Sequence, residues 1–385
     1  MENGLSKEQS KMLQGLAILM MLYHHLFSTP EALGIPYRSL LVFGEINAEL
    51  RMAWFFKICV GIYAFVSGYG ICRSMNRSEH SGKLHYDGTF FQKLIADYRI
   101  VAKRFFGFYQ QFLLVFVIFV PVGFLFFHKP FDIKELLLNL IGISTTYNGA
   151  WWYVLQYFKM LLILPVIDSV CTIYKGKKEM LPILSFIFGL CGVCAGLMAG
   201  HLLMPLIDWF QPAFTMCFIM GYLISRFELY EIAYRMVVYI ISKAVRLKSD
   251  RKEEKDRTIS KTAEKVLNVL GIIAFFLVII CRVKIAKDAS SAGLDFIFVP
   301  VFAFGFARIT MMLKRISKLF LFFGGYSTFI WLTHVFYYDH YMKKTIMFSG
   351  VSAGIYLTLL LVSLFGAFLL ERLFRFLKSL MKLSK

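Results

Sequence analysis

Three stretches of this chain, Phe105–Phe127, Met180–Gly200 and Thr345–Leu370, contain no Asp, Glu, Lys, Arg or His. As helix, each is long enough to cross a hydrocarbon core of about 30 Å. Unbroken apolar runs contradict the in-out alternation of a transmembrane barrel, so such segments must satisfy their backbone groups as helices. Seven weaker runs extend the pattern. Met12–Ser28 is interrupted only by His24 and His25, and Leu319–Tyr338 only by His334. Val266–Cys281 lies between Lys265 and Arg282, and Met52–Cys72 starts near Lys57. Trp151–Ile167 holds Lys159, Trp209–Ser225 is shorter, and Phe296–Met312 carries Arg308 near its end. The expected fold is all-α: a polytopic membrane helical bundle of about ten transmembrane helices.

Charge tests this count independently. The 385 residues hold 43 Lys+Arg and 24 Asp+Glu, a formal net charge of +19, yet only 17% of the chain is charged. A water-soluble body of this size needs a larger charged share. With ten spans, 32 Lys+Arg fall on the side of the N-terminus and nine on the other. That asymmetry is the positive-inside pattern and predicts a multi-pass protein of the cell (cytoplasmic) membrane with both termini cytoplasmic. The positive charge is thus read as topology within a lipid bilayer, with no nucleic acid partner. The chain reads as a single membrane domain over 1–385, with a cytoplasmic basic segment at about 227–264 and no separate soluble domain. No internal repeat is apparent. The polar N-terminus precedes a run that reads as a retained span rather than a cleaved leader. Seven cysteines form an odd set within apolar runs, and Cys191-Gly-Val-Cys194 has no His, Asp or Glu beside it. No disulfide framework and no metal site is expected.

Ionisable groups inside a membrane are costly and point to function by default. His25 lies about 21 Å along its helix from Lys11, and His334 about 24 Å along its own from Lys318. Both helices run in the same direction, so His24, His25 and His334 are expected at similar depth in the outer half. Imidazole is the side chain best suited to exchange a proton near neutral pH. Trp151 and Trp152 begin a span on the same side, where they read equally as interface anchors or as a substrate-facing surface. On the inner side, Ser67, Gly68 and Gly70 permit close helix approach. Arg73, Arg77, Arg99, Lys103 and Arg104 surround that end, able to hold phosphates or simply to anchor the helices. An inner polyanion site and an outer proton-transfer site suit an enzyme passing a group across the membrane. A proton-coupled transporter or flippase of a glycan or lipid-linked precursor, with the His pair as proton relay, is the alternative. A sensor using 227–264 to contact a cytosolic partner is a third.

Four stretches are similar to those of a known family. Gln14-Gly-Leu-Ala-Ile-Leu-Met-Met-Leu-Tyr-His24-His25 resembles the first span of the acyltransferase 3 family of bacterial membrane acyltransferases. Val60-Gly-Ile-Tyr-Ala-Phe-Val-Ser67-Gly68-Tyr69-Gly70 resembles its Ser-Gly motif. Trp151-Trp-Tyr-Val-Leu-Gln-Tyr with Pro165 resembles its Trp-aromatic span, and Gly325-Tyr-Ser327-Thr-Phe-Ile-Trp331-Leu-Thr-His334 its late His motif. Two positions depart from the family pattern: Gln14 stands where a basic residue is usual, and Gly107 where a second Arg is common. The resemblance implies an O-acetyltransferase that moves an acyl group, usually acetyl from acetyl-CoA, to a hydroxyl of an extracytoplasmic carbohydrate or lipid-linked acceptor. It implies His25 as catalytic, with His24 second, and Arg73, Arg77 and Arg104 as the nearest equivalents of the donor-binding arginines.

Overall fold

The computed structural model describes residues 4–43, 46–80, 90–128, 130–174, 211–244, 252–286 and 292–383. The expected span Met180–Gly200, with Cys191 and Cys194, lies outside the described residues, as does the side chain of Arg77. What is described is almost wholly helical. The chain order is α1 (Lys7–Phe27), α2 (Ala48–Phe55), α3 (Ile58–His80), α4 (Phe90–Phe126), α5 (Ile133–Leu140), α6 (Trp152–Tyr174), α7 (Pro212–Arg226), α8 (Leu229–Ala244), α9 (Lys252–Ile285), α10 (Asp295–Met312), α11 (Lys314–Val335), α12 (Lys343–Met347) and α13 (Ser352–Leu383). A single pair of two-residue strands, Val42–Phe43 and Ile46–Asn47, precedes α2.

Among the described residues, seven helical segments are long and apolar enough to cross a membrane: α2 with α3, α4, α6 with its preceding turn, α9, α10, α11 and α13. The protein is therefore a multi-pass membrane protein. The outward faces of these helices are greasy in helical register: Leu357, Leu361, Phe365 and Leu369 are exposed along α13, as are Val269, Ile273, Phe276 and Ile280 along α9. In water this would be a liability; against lipid tails it costs nothing.

Sequence chemistry fixes the helix starts. Ser6 and Gln9 form a reciprocal capping box on α1: Gln9 N–H donates to Ser6 Oγ (3.1 Å) and Ser6 N–H to Gln9 Oε1 (2.9 Å). Asn47 caps α2 by accepting from Leu50 N–H at 3.0 Å.

Glycines decide which helices touch most closely. A Cβ at Gly15 would run into the Phe320 carbonyl, and one at Gly324 into the Lys11 carbonyl, so α1 and α11 meet backbone to backbone. Gly68 against the Phe218 carbonyl and Gly221 against the Phe65 carbonyl do the same for α3 and α7. The described parts of the basic segment are helical, and α8 packs on the start of α9 through Ile241, Ile259 and Ala263, apart from the main core.

Buried charges mark both ends of the bundle. At the end shared by the starts of α1 and α4, Lys93 and Tyr222 both reach Asp168, Lys93 Nζ lies 2.8 Å from Asp97, and Arg226 donates to Asn76 at 2.8 Å. The knot ties α3, α4, α6 and α7. At the opposite end, Arg282 at the close of α9 clasps Asp295 at the start of α10, with Nε to Oδ1 at 2.6 Å and Nη2 to Oδ2 at 3.3 Å.

Candidate active site

The close approach of α1 and α11 sets two histidines from distant parts of the chain against one another. The rings of His25 and His334 lie 4.8 Å apart, centroid to centroid, nearly perpendicular. Tyr338, one turn past His334, flanks both, at 6.4 Å from His25 and 6.0 Å from His334. It sits in a π-helical turn, Phe336–Tyr341, which continues α11. Such turns are frequent at functional sites.

The three histidines differ in what they can do. His24 is buried, and its Nδ1–H donates to the Ala53 carbonyl at 2.8 Å, tying α1 to α2. His334 is fully buried, and its Nδ1–H donates to the Trp331 carbonyl at 2.7 Å. A carbonyl only accepts, so this bond places the proton on Nδ1 and leaves the Nε2 lone pair exposed to whatever lies beside it. Nε2 has no hydrogen-bond partner among the described residues. His25 is half-buried and makes ring contact with both other histidines. An anchored imidazole with a bare, buried lone pair is an arrangement that accepts a proton or orients a neighbour that does.

A cavity of about 360 Å³ leads toward this pair. Lys103 and Arg104 line it on α4, on the same side as the start of α1. Polar groups follow: Gln14 on α1, Ser67 on α3, Gln111 on α4, and Ser327 and Thr328 on α11. Its deeper wall is Met21, Val60, Tyr153 and Trp331. Met21 is one turn before His25, and Trp331 one turn before His334. Among the described residues, no acidic side chain lines the space. Tyr63 shapes it by donating to the Gln14 carbonyl at 3.1 Å. Gln14 and Gly107, where the sequence departs from the family pattern, both face this cavity.

The sequence-derived candidates thus separate. His25 and His334 come together; Ser67, Lys103 and Arg104 share the cavity that approaches them. Gly68 lies in the crossing of α3 with α7. Arg73 borders a smaller cavity of about 250 Å³, with its guanidinium over the Tyr69 ring and 3.3 Å from its hydroxyl. Arg99 is exposed and does not line the main cavity. Trp151 is fully buried among Phe112, Phe116 and Phe336, and its indole N–H donates to the Leu332 carbonyl at 3.0 Å. Asn148 donates to the same carbonyl at 3.1 Å. Together they brace the turn that carries His334. Trp152 packs on Tyr153 and Phe214.

Sequence reading missed Gln111, Tyr153, Tyr157 and Tyr338. Gln111 had a signal: with Gln110 it puts paired amides in a span free of charges. Tyr153 and Tyr157 lay inside the Trp-aromatic stretch without being singled out, and Tyr338 had no signal, because the chain holds 20 tyrosines. Among the described residues no cluster of His, Cys, Asp and Glu has the makings of a metal site.

A family model described as an acyltransferase domain matches residues 10–372, nearly the whole chain. No curated protein and no solved structure matches.

Proposed function

The chain belongs to the acyltransferase 3 family, and from that membership we propose that it moves an acetyl group from cytoplasmic acetyl-CoA to a hydroxyl of an extracytoplasmic glycan or lipid-linked acceptor. In this reading it crosses the cell membrane ten times with both termini in the cytoplasm, so the Lys103 and Arg104 end of the cavity faces the donor. The observation that carries the reading is the cavity itself, which joins that basic end to within one turn of His25 and His334.

Lys103 and Arg104 hold donor phosphates, Arg104 through bidentate contacts that a lysine cannot make. Arg73, Arg77 and Arg99 add positive field at that face. The pantetheine arm lies along Ser67, Gln111 and Ser327, which offer hydrogen bonds to its amides. The thioester reaches the deeper wall, beside His25. His25 takes the proton of the acceptor hydroxyl as its oxygen attacks the carbonyl carbon. The new C–O bond forms, the C–S bond breaks, and the departing thiolate recovers the proton as free CoA thiol. His334, anchored through Nδ1, orients His25 through its bare Nε2.

His25→Ala is expected to abolish transfer from labelled acetyl-CoA in membranes while expression persists. Full transfer by that variant overturns the role of His25. Acetyl-CoA is further expected to raise the thermal stability of the purified protein, as any ligand of the native state must. No stabilisation, with proton-coupled solute uptake in vesicles, would establish the transporter instead.

A further inference from the structure

The two helices that bring His25 and His334 together also run, on the side away from Lys103 and Arg104, into the walls of a second cavity. It measures about 500 Å³. Gly34 and Ile35, in the connection that follows α1, form one wall. The other is the continuation of α11 from His340 to Thr345. Along the chain, the π-helical turn links the histidine pair to this second cavity. Tyr338 touches the histidines from this turn, while His340 and Tyr341, two and three residues on, line the second cavity. Tyr341 is held in place: its hydroxyl donates to the Phe119 carbonyl at 2.7 Å and its ring stacks on Phe127 at 4.4 Å and on Phe336 at 5.3 Å.

The charges here are few but unbalanced. Asp339 lies 3.7 Å from Lys343 and 3.9 Å from His340. Lys344 is exposed and has no ion-pair partner among the described residues. The rim thus keeps an uncompensated cation beside a shared one and a titratable imidazole. It does so on the side of the chain where the sequence places only nine of 43 Lys+Arg. Such a cationic rim is the surface for a sugar bearing an acidic group.

We infer that this cavity is the acceptor subsite, and that the acceptor is an anionic glycan whose carboxylate or phosphate is held by Lys343 and Lys344. The word acceptor rests on the acyl-transfer reading above; the anion preference does not. The hydroxyl to be modified would pass the π-helical turn to reach His25, so donor and acceptor meet there from opposite sides.

The test is equilibrium binding by the full-length protein in detergent micelles. Two probes are compared at low and moderate salt: a fluorescent oligogalacturonide and its carboxyl-reduced, neutral counterpart. Wild type is expected to prefer the acidic probe by roughly tenfold, the size of two partly screened charge contacts, and less at higher salt. Lys343→Ala with Lys344→Ala should remove the preference, and Lys343→Arg with Lys344→Arg should retain it. Stabilisation by acetyl-CoA should be unchanged in both, which also shows that they fold. Equal binding of the two probes by wild type, or a preference that survives the alanine pair, overturns the inference. An acidic-probe preference in a protein that acetyl-CoA does not stabilise would instead sink the acyl-transfer reading and leave the anion site standing.

Discussion

At the scale of single residues, hydrogen bonds from two of three similar-looking histidines tell them apart. His24 and His334 both give their Nδ1 proton to a backbone carbonyl, but His24 faces α2 while His334 faces His25. The second imidazole is therefore the one placed to act with His25. His334→Ala is expected to lower kcat by about 10²–10⁴, the usual loss when a positioned proton-transfer group goes, with the KM for acetyl-CoA little changed. A fall in apparent donor affinity of the same size would place His334 in donor binding instead. The opposite split is expected at the other end of the cavity. Arg104→Ala should raise the acetyl-CoA KM by about tenfold to a hundredfold, the worth of a charge-assisted phosphate contact, and leave the response to acceptor unchanged. Steady-state kinetics with each substrate varied in turn checks both. Of these residues, His25 and His334 stood out in the sequence because an imidazole in an apolar span is conspicuous, and Arg104 because it ends a basic cluster just before one. Tyr338 did not, since an aromatic ring is at home in any membrane helix.

Helices meet here according to what their surfaces lack. Where α1 crosses α11 and α3 crosses α7, hydrogen atoms stand where every other residue would put carbon. Gly68→Val should overpack that crossing and cost about 1–3 kcal/mol, read as a lower melting temperature of the solubilised protein. Gly107→Ala is the control. Nothing lies within 4 Å of a Cβ built there, so the change should be neutral or stabilising by up to about 1 kcal/mol through helix propensity. Equal losses from the two would show that the crossing is looser than the backbone contacts imply. The Ser-Gly motif was visible in the sequence. That Ser67 faces the cavity while its neighbour Gly68 faces α7 was not, because adjacent helical positions point about 100° apart and the sequence does not say which direction holds the partner.

At the scale of the whole molecule, a buried ionic cluster among the described residues ties each end. Asp168 gathers Lys93 and Tyr222 at one end, and Asp295 pairs with Arg282 at the other. Asp295→Ala removes the carboxylate that pairs with the Arg282 guanidinium, which is 1% exposed, and is expected to cost about 3–5 kcal/mol. Arg282→Met combined with Asp295→Leu should recover most of that loss, since an apolar pair of similar volume removes the desolvation penalty altogether. Thermal unfolding of the three variants decides it, and a double variant as unstable as Asp295→Ala would contradict the account. By itself the sequence determined that this chain is helical and lives in a bilayer, because apolar runs and charge asymmetry are local properties that lipid and water read segment by segment. Only the tertiary structure decided that His25 meets His334, that Trp151 braces the turn behind it, and that Arg73 borders a different cavity from Arg104. Lipid tails are as apolar as a neighbouring helix, so hydrophobicity drives insertion without choosing partners. That choice falls to close-approaching glycines and a few buried polar contacts, whose pairings emerge only when all the helices are packed together.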